Sequence, residues 1–400
     1  MKALVLGVGM QGKAVIRDLS QSPLIAGIIA ADVLPVAAEE HVRSQGYSNV
    51  TVVGLDAGDQ SGLMRLVKDA GVGIVICMVP PDFNRIVARV CLDAGVHFVN
   101  TSLGAMLADL DEEAKTRGIA ILPDIGFDPG IDLLLGALAV DELDEVEGLY
   151  SYAGGIPAPE CVDGLLNYKI TWVFDRVLLG YKRPARMLKG GEEVTIPGLE
   201  IFNQEHIHVI KFPSVGTLEA YPNGDALRFI ETFGLGAGLK DLARFTLRWP
   251  GHAAYWRIMT QMGFVDDESL DLGAGASISP RQFLVKHLSP RLQLLEAERD
   301  LAVLRVQAWG RKHDQKFKVI YELADYLDLE TRVSAMSRTV GYTASIAAQM
   351  ILSKEISRHG VLSPARDIPV LRFLEELKAR NIQISQRVED LGRDTSEEGS

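Results

Sequence analysis

Gly7, Gly9 and Gly12 stand where an apolar run, Lys2 to Leu6, gives way to helical spacing from Lys13 to Ser20. A strand, a glycine turn and a helix in that order can wrap a pyrophosphate. Gly7 makes the tight turn, Gly9 lets the backbone approach the phosphates, and Gly12 lets the helix pack closely on the strand. The helix start, with Met10 and Gln11, then offers free N–H groups and the positive end of its dipole. Asp32 follows a second apolar run, Ala26 to Ala31, about twenty residues beyond the last glycine. A carboxylate there accepts hydrogen bonds from both ribose hydroxyls and repels a 2′-phosphate. Val33 and Leu34 bring no arginine to receive such a phosphate. The expected cofactor is therefore NAD, against the plainer reading of a glycine turn with a chance aspartate.

Further candidates follow later apolar runs. Asp56 comes after Val50 to Val53 and is placed to meet the adenine amine, although a turn or helix-cap aspartate is an equal reading. Val79 and Pro80 follow Gly73 to Met78 and would wall the nicotinamide ribose; Thr101 and Ser102 follow Val96 to Asn100. Ligands of open α/β sheets bind beyond such carboxyl ends. Gly126-Phe127-Asp128-Pro129-Gly130-Ile131-Asp132 follows Ile119 to Leu122 and reads as a turn entering a helix at Ile131 to Val140.

The elements that must position these residues alternate. Helical stretches at Gln60 to Ala70, Asn84 to Ala94 and Met106 to Arg117 separate the apolar runs. Strand–helix alternation at this spacing predicts a Rossmann-type, doubly wound parallel sheet. Beyond Gly130 the rhythm changes to longer β segments at Val146 to Tyr152, Ile207 to Lys211, Val303 to Trp309 and Lys316 to Glu322, with a helix at Pro280 to Leu288. That pattern predicts a mixed α/β domain. A small-residue helix, Gly341 to Ser353, and a terminal helix, Val370 to Arg380, follow.

The 400 residues are 47% hydrophobic and 24% charged, enough for two domains with real cores. A formal net charge of −12 disfavours nucleic acid or an anionic membrane as partner. Three cysteines (Cys77, Cys91, Cys161) without metal-ligand spacing fit a reducing compartment. The first apolar run is too short for a signal peptide or a membrane span, so the expected location is the cytoplasm. No metal site and no Ser-His-Asp order stands out.

Several segments together resemble the saccharopine dehydrogenase family, particularly its glutamate-forming (saccharopine reductase) and lysine 6-dehydrogenase branches. Besides GFDPGID at 126–132, they are GGIPAPE at 154–160, NYKITW at 167–172, LEAYPN at 218–223, FTLRWPGH at 245–252, MSRTVGY at 336–342 and GVLSP at 360–364. The resemblance implies a Rossmann domain over 1–125 that resumes at 336–389. It also implies an inserted substrate-binding and dimerisation domain over 126–335, a homodimer, and a lysine-derived amino-acid substrate oxidised at a carbon–nitrogen bond. Residues 390–400 read as a flexible tail. One departure stands out: after Pro-Asn the saccharopine reductase branch reads Arg-Asp-Ser, whereas here Asn223 is followed by Gly224, Asp225 and Ala226. Losing that carboxylate clamp casts doubt on saccharopine, which carries three carboxylates, and favours free lysine; Arg228 is a weak substitute.

Oxidising an amine needs a neutral nitrogen, a hydride acceptor and a base. Arg248, with Thr246 beside it, is the expected α-carboxylate anchor; a strand arginine paired to a surface acid is the plainer reading. Asp128 would orient the amine, and Lys169 or His252 would move a proton, although a histidine after Pro250-Gly251 reads as a solvated turn residue. Ser102, Asn223 and Asp225 complete the expected substrate contacts. Tyr168, Trp172 and Phe174 would cover the lysine stem unless they are ordinary core. A carboxyl-polyamine dehydrogenase and an NAD sensor without turnover remain alternatives.

Overall fold

The computed structural model describes residues 1–102, 104–162 and 166–392. The chain forms two compact units, Met1–Leu134 with Ser337–Ile382, and Leu135–Met336 with the segment from Gln383.

The first unit is built on β1 (Lys2–Leu6), β2 (Gly27–Asp32), β3 (Val50–Gly54), β4 (Val72–Cys77), β5 (His97–Asn100) and β6 (Ala120–Leu122). They lie in the order 3-2-1-4-5-6, with Gly360–Val361 added beside β6, and every pairing is parallel. The central strands are apolar throughout because helices cover both faces of a parallel sheet; Leu4, Val5, Val75, Ile76 and Phe98 are fully buried. Strand order reverses between β1 and β4, and that switch point is where such sheets take ligands. The helix Gln60–Ala70 shows the local logic of the covering layer. Asp59 accepts the Gly62 N–H at its start, and Gly71 ends it at φ +63°.

Two helical expectations change. The segment expected as one helix from Met106 is a 3₁₀ stretch over Gly104–Leu110, followed by an α-helix only at Asp111–Arg117. The helix expected from Gly341 begins at Ala335 and runs to Leu352, with a π-turn at Arg338–Tyr342.

In the second unit Glu145–Pro157 is the spine of a nine-stranded mixed sheet. Asp241–Arg248 runs parallel to it on one side, and Asp300–Lys312 runs antiparallel on the other. Asp300–Lys312 and Gln315–Tyr326 form a hairpin that turns on His313 and Asp314, both with positive φ, as a two-residue turn requires. Gly216–Pro222 and His208–Phe212 extend the other side. The strand Ile384–Asp390 pairs with Gln315–Tyr326. Residues 384–389 therefore belong to this sheet and not, as expected, to the parallel one. Of the expected tail, residues 393–400 lie outside the described residues. No helix among the described residues is long and apolar enough to cross a membrane.

Candidate functional site

In the first unit the glycine turn is built for contact. Gly7 has φ +96°, and a Cβ there would lie 2.9 Å from the Met78 carbonyl; a Cβ on Gly12 would lie 1.9 Å from the Gly7 oxygen. Gly9 differs, since nothing lies within 4 Å of where its Cβ would be. It precedes the helix Met10–Ser20, whose start has no side-chain cap. Open space above uncapped helix amides fits a pyrophosphate.

Asp32 is fixed at the end of β2. Its Oδ2 accepts the Val8 N–H (2.6 Å) and its Oδ1 the Leu34 N–H (2.9 Å), which leaves each oxygen a further lone pair for a ribose hydroxyl. Val33 and Leu34 are exposed apolar neighbours, as the sequence indicates. The Asp56 Oδ1 accepts the Gly58 N–H (2.8 Å) and helps to hold its own turn.

The carboxyl ends of β4, β5 and β6 bring several expected residues to one edge of this sheet. Val79 and Pro80 follow β4, and Thr101 and Ser102 follow β5. A Cβ on Gly126, after β6, would lie 3.0 Å from the Thr101 Cβ. The Asp128–Pro129 bond is cis, and the turn closes on itself: Gly126 N–H donates to Pro129 O (2.9 Å), and Gly130 N–H donates to the buried Asp132 (2.7 Å). Asp128 is half-buried in that turn. Asn84 and Asn100, both buried, hold Ser102 from behind through three hydrogen bonds. The only sequence signal for them was a polar residue ending the apolar strand His97–Asn100.

In the second unit Arg244, Thr246 and Arg248 alternate along Asp241–Arg248 and so share one face. Arg248 is buried at 6% exposure. Its Nη1 donates to Leu247 O (2.8 Å), its guanidinium lies 5.5 Å from the Tyr168 ring centre, and its Nε has no hydrogen-bond partner among the described residues. No carboxylate among the described residues lies within ion-pair distance of it. Glu219, opposite on the neighbouring strand, uses its two oxygens on the Gly251 (3.0 Å) and Ala253 (2.5 Å) N–H groups. Burial pushes the Glu219 carboxyl upward. A buried cation without an anion is costly, so Arg248 marks a place for one.

Sequence reasoning missed Arg244. Its Nη1 lies 3.5 Å from where a Cβ on Gly224 would sit, beside the position of the absent arginine, and its guanidinium stacks 5.6 Å from the Phe229 ring centre. Arg228, the weaker substitute, is exposed.

Other expectations are corrected. His252 is not a solvated turn residue. It is 1% exposed, its Nε2 is 2.9 Å from the Tyr181 hydroxyl, and the Tyr221 ring stacks on it. Burial, and then the nearby Arg248 charge, push its pKa well below the ordinary histidine value, so it is neutral. Lys169 is not a free base: it donates to Glu298 (2.8 Å), both side chains being mostly buried. Asp225 is tied to Arg186 (2.8 Å) and the Leu227 N–H (3.0 Å). The Asn223 backbone N–H donates to Arg244 O (2.9 Å), a main-chain bond that leaves the expected role of its side chain untouched. Tyr168 and Phe174 are core residues, with ring centres 6.1 Å apart, whereas Trp172 is exposed.

The chain matches known proteins over nearly its whole length. Residues 3–122 match the family model described as the saccharopine dehydrogenase NADP binding domain, and residues 126–382 match the saccharopine dehydrogenase C-terminal domain. Alpha-aminoadipic semialdehyde synthase, mitochondrial, of Mus musculus is 27% identical over 95% of this chain and 47% of its own length. The chain thus spans about half the length of the mammalian relatives it matches. The L-glutamate-forming, NADP(+) saccharopine dehydrogenase of Pyricularia oryzae is 25% identical over 96% of this chain and 98% of its own. In structure, the apo L-Glu-forming saccharopine dehydrogenase of Saccharomyces cerevisiae superposes with a TM-score of 0.85 at 24% identity, covering 97% and 99% of the two chains. A glycine cradle on a 3-2-1-4-5-6 sheet, a mixed-sheet unit with its guanidinium row, and two family models that between them cover 3–122 and 126–382 lead to one assignment: the chain belongs to the saccharopine dehydrogenase family.

Proposed function

We propose that this protein is an NAD-dependent dehydrogenase that oxidises the side-chain carbon–nitrogen bond of lysine, or of a lysine adduct such as saccharopine, to the semialdehyde. The observation that carries the substrate class is Arg248, a buried guanidinium without a carboxylate among the described residues. It suits the α-carboxylate of an amino acid, with the Thr246 hydroxyl beside it on the same strand face. Arg244 keeps a second carboxylate in play, and with it saccharopine as well as free lysine.

The first unit supplies the dinucleotide grip through Gly7, Gly9, Met10, Gln11, Gly12 and Asp32, while Val79, Pro80 and Thr101 line the ends of β4 and β5. When bound, the nicotinamide accepts the hydride from the carbon beside nitrogen. Asp128 orients the amine and takes its proton. Asp128 is half-buried in the turn beyond β6, whereas Lys169 is ion-paired to Glu298 and His252 is caged by aromatic rings. Ser102 is a further substrate contact. Water added to the resulting carbon–nitrogen double bond gives a carbinolamine that collapses to the semialdehyde, the nitrogen leaving as ammonia from lysine or as the amine of glutamate from saccharopine.

NAD rather than NADP is inferred from the Asp32 carboxylate and its uncharged neighbours, although relatives carry NADP(+) in their names. A homodimer belongs to the same reading, and sedimentation would measure it. The test of function is reduction of NAD and of NADP, followed separately with L-lysine and with saccharopine. Glutamate release would assign saccharopine, and turnover with lysine alone would assign the smaller substrate. Tight dinucleotide binding without any turnover would overturn the enzyme reading in favour of a sensor.

A further inference from the structure

A hydrogen-bond chain in the first unit joins the ends of β4 and β5. The Cys77 thiol donates to Asn84 Oδ1 (3.7 Å). Asn84 Nδ2 donates to both the carbonyl (3.3 Å) and the hydroxyl oxygen (3.4 Å) of Ser102. Asn100 Nδ2 donates to the same carbonyl (2.9 Å). The direction is not arbitrary. A carbonyl only accepts, so the Ser102 carbonyl forces the amide nitrogen of Asn84 toward it and its oxygen toward Cys77. That oxygen needs a donor, and burial pushes the Cys77 pKa up to about 12, which keeps the thiol protonated as the donor. A serine hydroxyl has one proton to give. With Asn84 donating to its oxygen, that proton is turned away from Asn84. Gly104 N–H donates in turn to Asp124 (3.0 Å). Asn84, Asn100 and Cys77 are each at most 2% exposed, so the chain is shielded from competing water.

We propose that Asn84 is a positioning residue that, through this chain, presents the Ser102 hydroxyl as a hydrogen-bond donor to a carboxylate of the amino-acid substrate. The proposal rests on the substrate reading given above, but the chain itself can be read without any substrate.

Two measurements on the full chain test it. The infrared S–H stretch of Cys77, assigned by its loss in Cys77→Ala, should move to higher frequency in Asn84→Ala in the absence of any ligand, because the thiol loses its acceptor. In steady-state kinetics Ser102→Ala should raise KM for the amino-acid substrate about ten- to hundredfold, the range of a hydrogen bond to a charged group. Asn84→Ala should raise it about three- to tenfold, and the double variant should be no worse than Ser102→Ala alone. Dinucleotide affinity should be unchanged in all three. A merely structural asparagine would lower the melting temperature without splitting KM from kcat, and its two substitutions would add. An unmoved S–H band, or unmoved KM with turnover intact, overturns the proposal. If wild-type protein turns over no amino acid, the substrate reading falls with it, while the band shift still decides the chain.

Discussion

A guanidinium is costly to remove from water, and Arg248 is buried with no carboxylate among the described residues within ion-pair distance of it. Arg248→Lys keeps the charge but loses the planar fork, and is expected to raise KM for the amino acid about ten- to hundredfold with dinucleotide affinity unchanged. Initial rates against substrate concentration check this; an unaltered KM with a lowered melting temperature would return Arg248 to a packing role. Arg244→Ala separates the substrates. It should weaken saccharopine about tenfold, one lost charge-assisted bond, and leave lysine nearly unaffected. At the cofactor end, Asp32→Ala should weaken NAD by about tenfold and NADP by less, as competitive binding of the two would show. Asp32 and Arg248 were legible because each is a charge set in an apolar segment. Lys169 and His252 were misread because their partners are distant in sequence: Glu298 lies 129 residues from Lys169, and Tyr181 lies 71 from His252. Arg244 escaped notice because its relation to position 224 exists only across paired strands.

Elements carry the next level of constraint. The helix that resumes the first unit packs Gly341 against the glycine-turn helix, where a Cβ would lie 2.7 Å from both Ala14 Cβ and Gln11 O. Gly341→Ala should therefore destabilise the protein by about 1–3 kcal/mol and weaken dinucleotide binding, because the displaced helix carries the phosphate-facing amides. Denaturant unfolding with a parallel NADH fluorescence titration would measure both; retained affinity would show that the two helices can slide apart freely. The central strands β1, β2, β4 and β5 were readable as apolar runs because both faces of a parallel sheet are buried there. The hairpin Ala185–Lys189 with Glu192–Ile196 was not, since its outer strand alternates polar residues at an exposed edge. The π-turn at Arg338–Tyr342 leaves no sequence signature at all.

For the molecule as a whole, pH is the sharpest probe. Burial lowers the pKa of His97, His208 and His252 below the ordinary value of 6.5. Such a histidine takes a proton more readily in the unfolded chain than in the folded one. No stability is lost to it above pH 6.5, and stability falls as pH drops from 6.5 toward the folded value. For the fully buried His252 the slope approaches about 1.4 kcal/mol per pH unit; the partly solvated His97 and His208 add less. His97 also loses a structural bond when protonated, because its Nδ1 accepts the Ala120 N–H (3.0 Å). Melting temperatures from pH 7.5 to 5.5 should decline, and His97→Gln, whose amide oxygen can still accept, should soften the decline. A flat profile would mean that these rings are open to water.

From the sequence alone came the fold class, the glycine turn with an aspartate closing the next strand, and the strand arginine, because each follows from local periodicity or from a motif whose spacing is itself the geometry. Only the tertiary structure decided which charges were already paired, which histidine was caged, where the last strand joined, and how Asn84 and Asn100 grip Ser102. Those outcomes depend on neighbours brought together from far along the chain, and burial, which sets the cost of leaving a polar group without a partner, is not a property of any single segment.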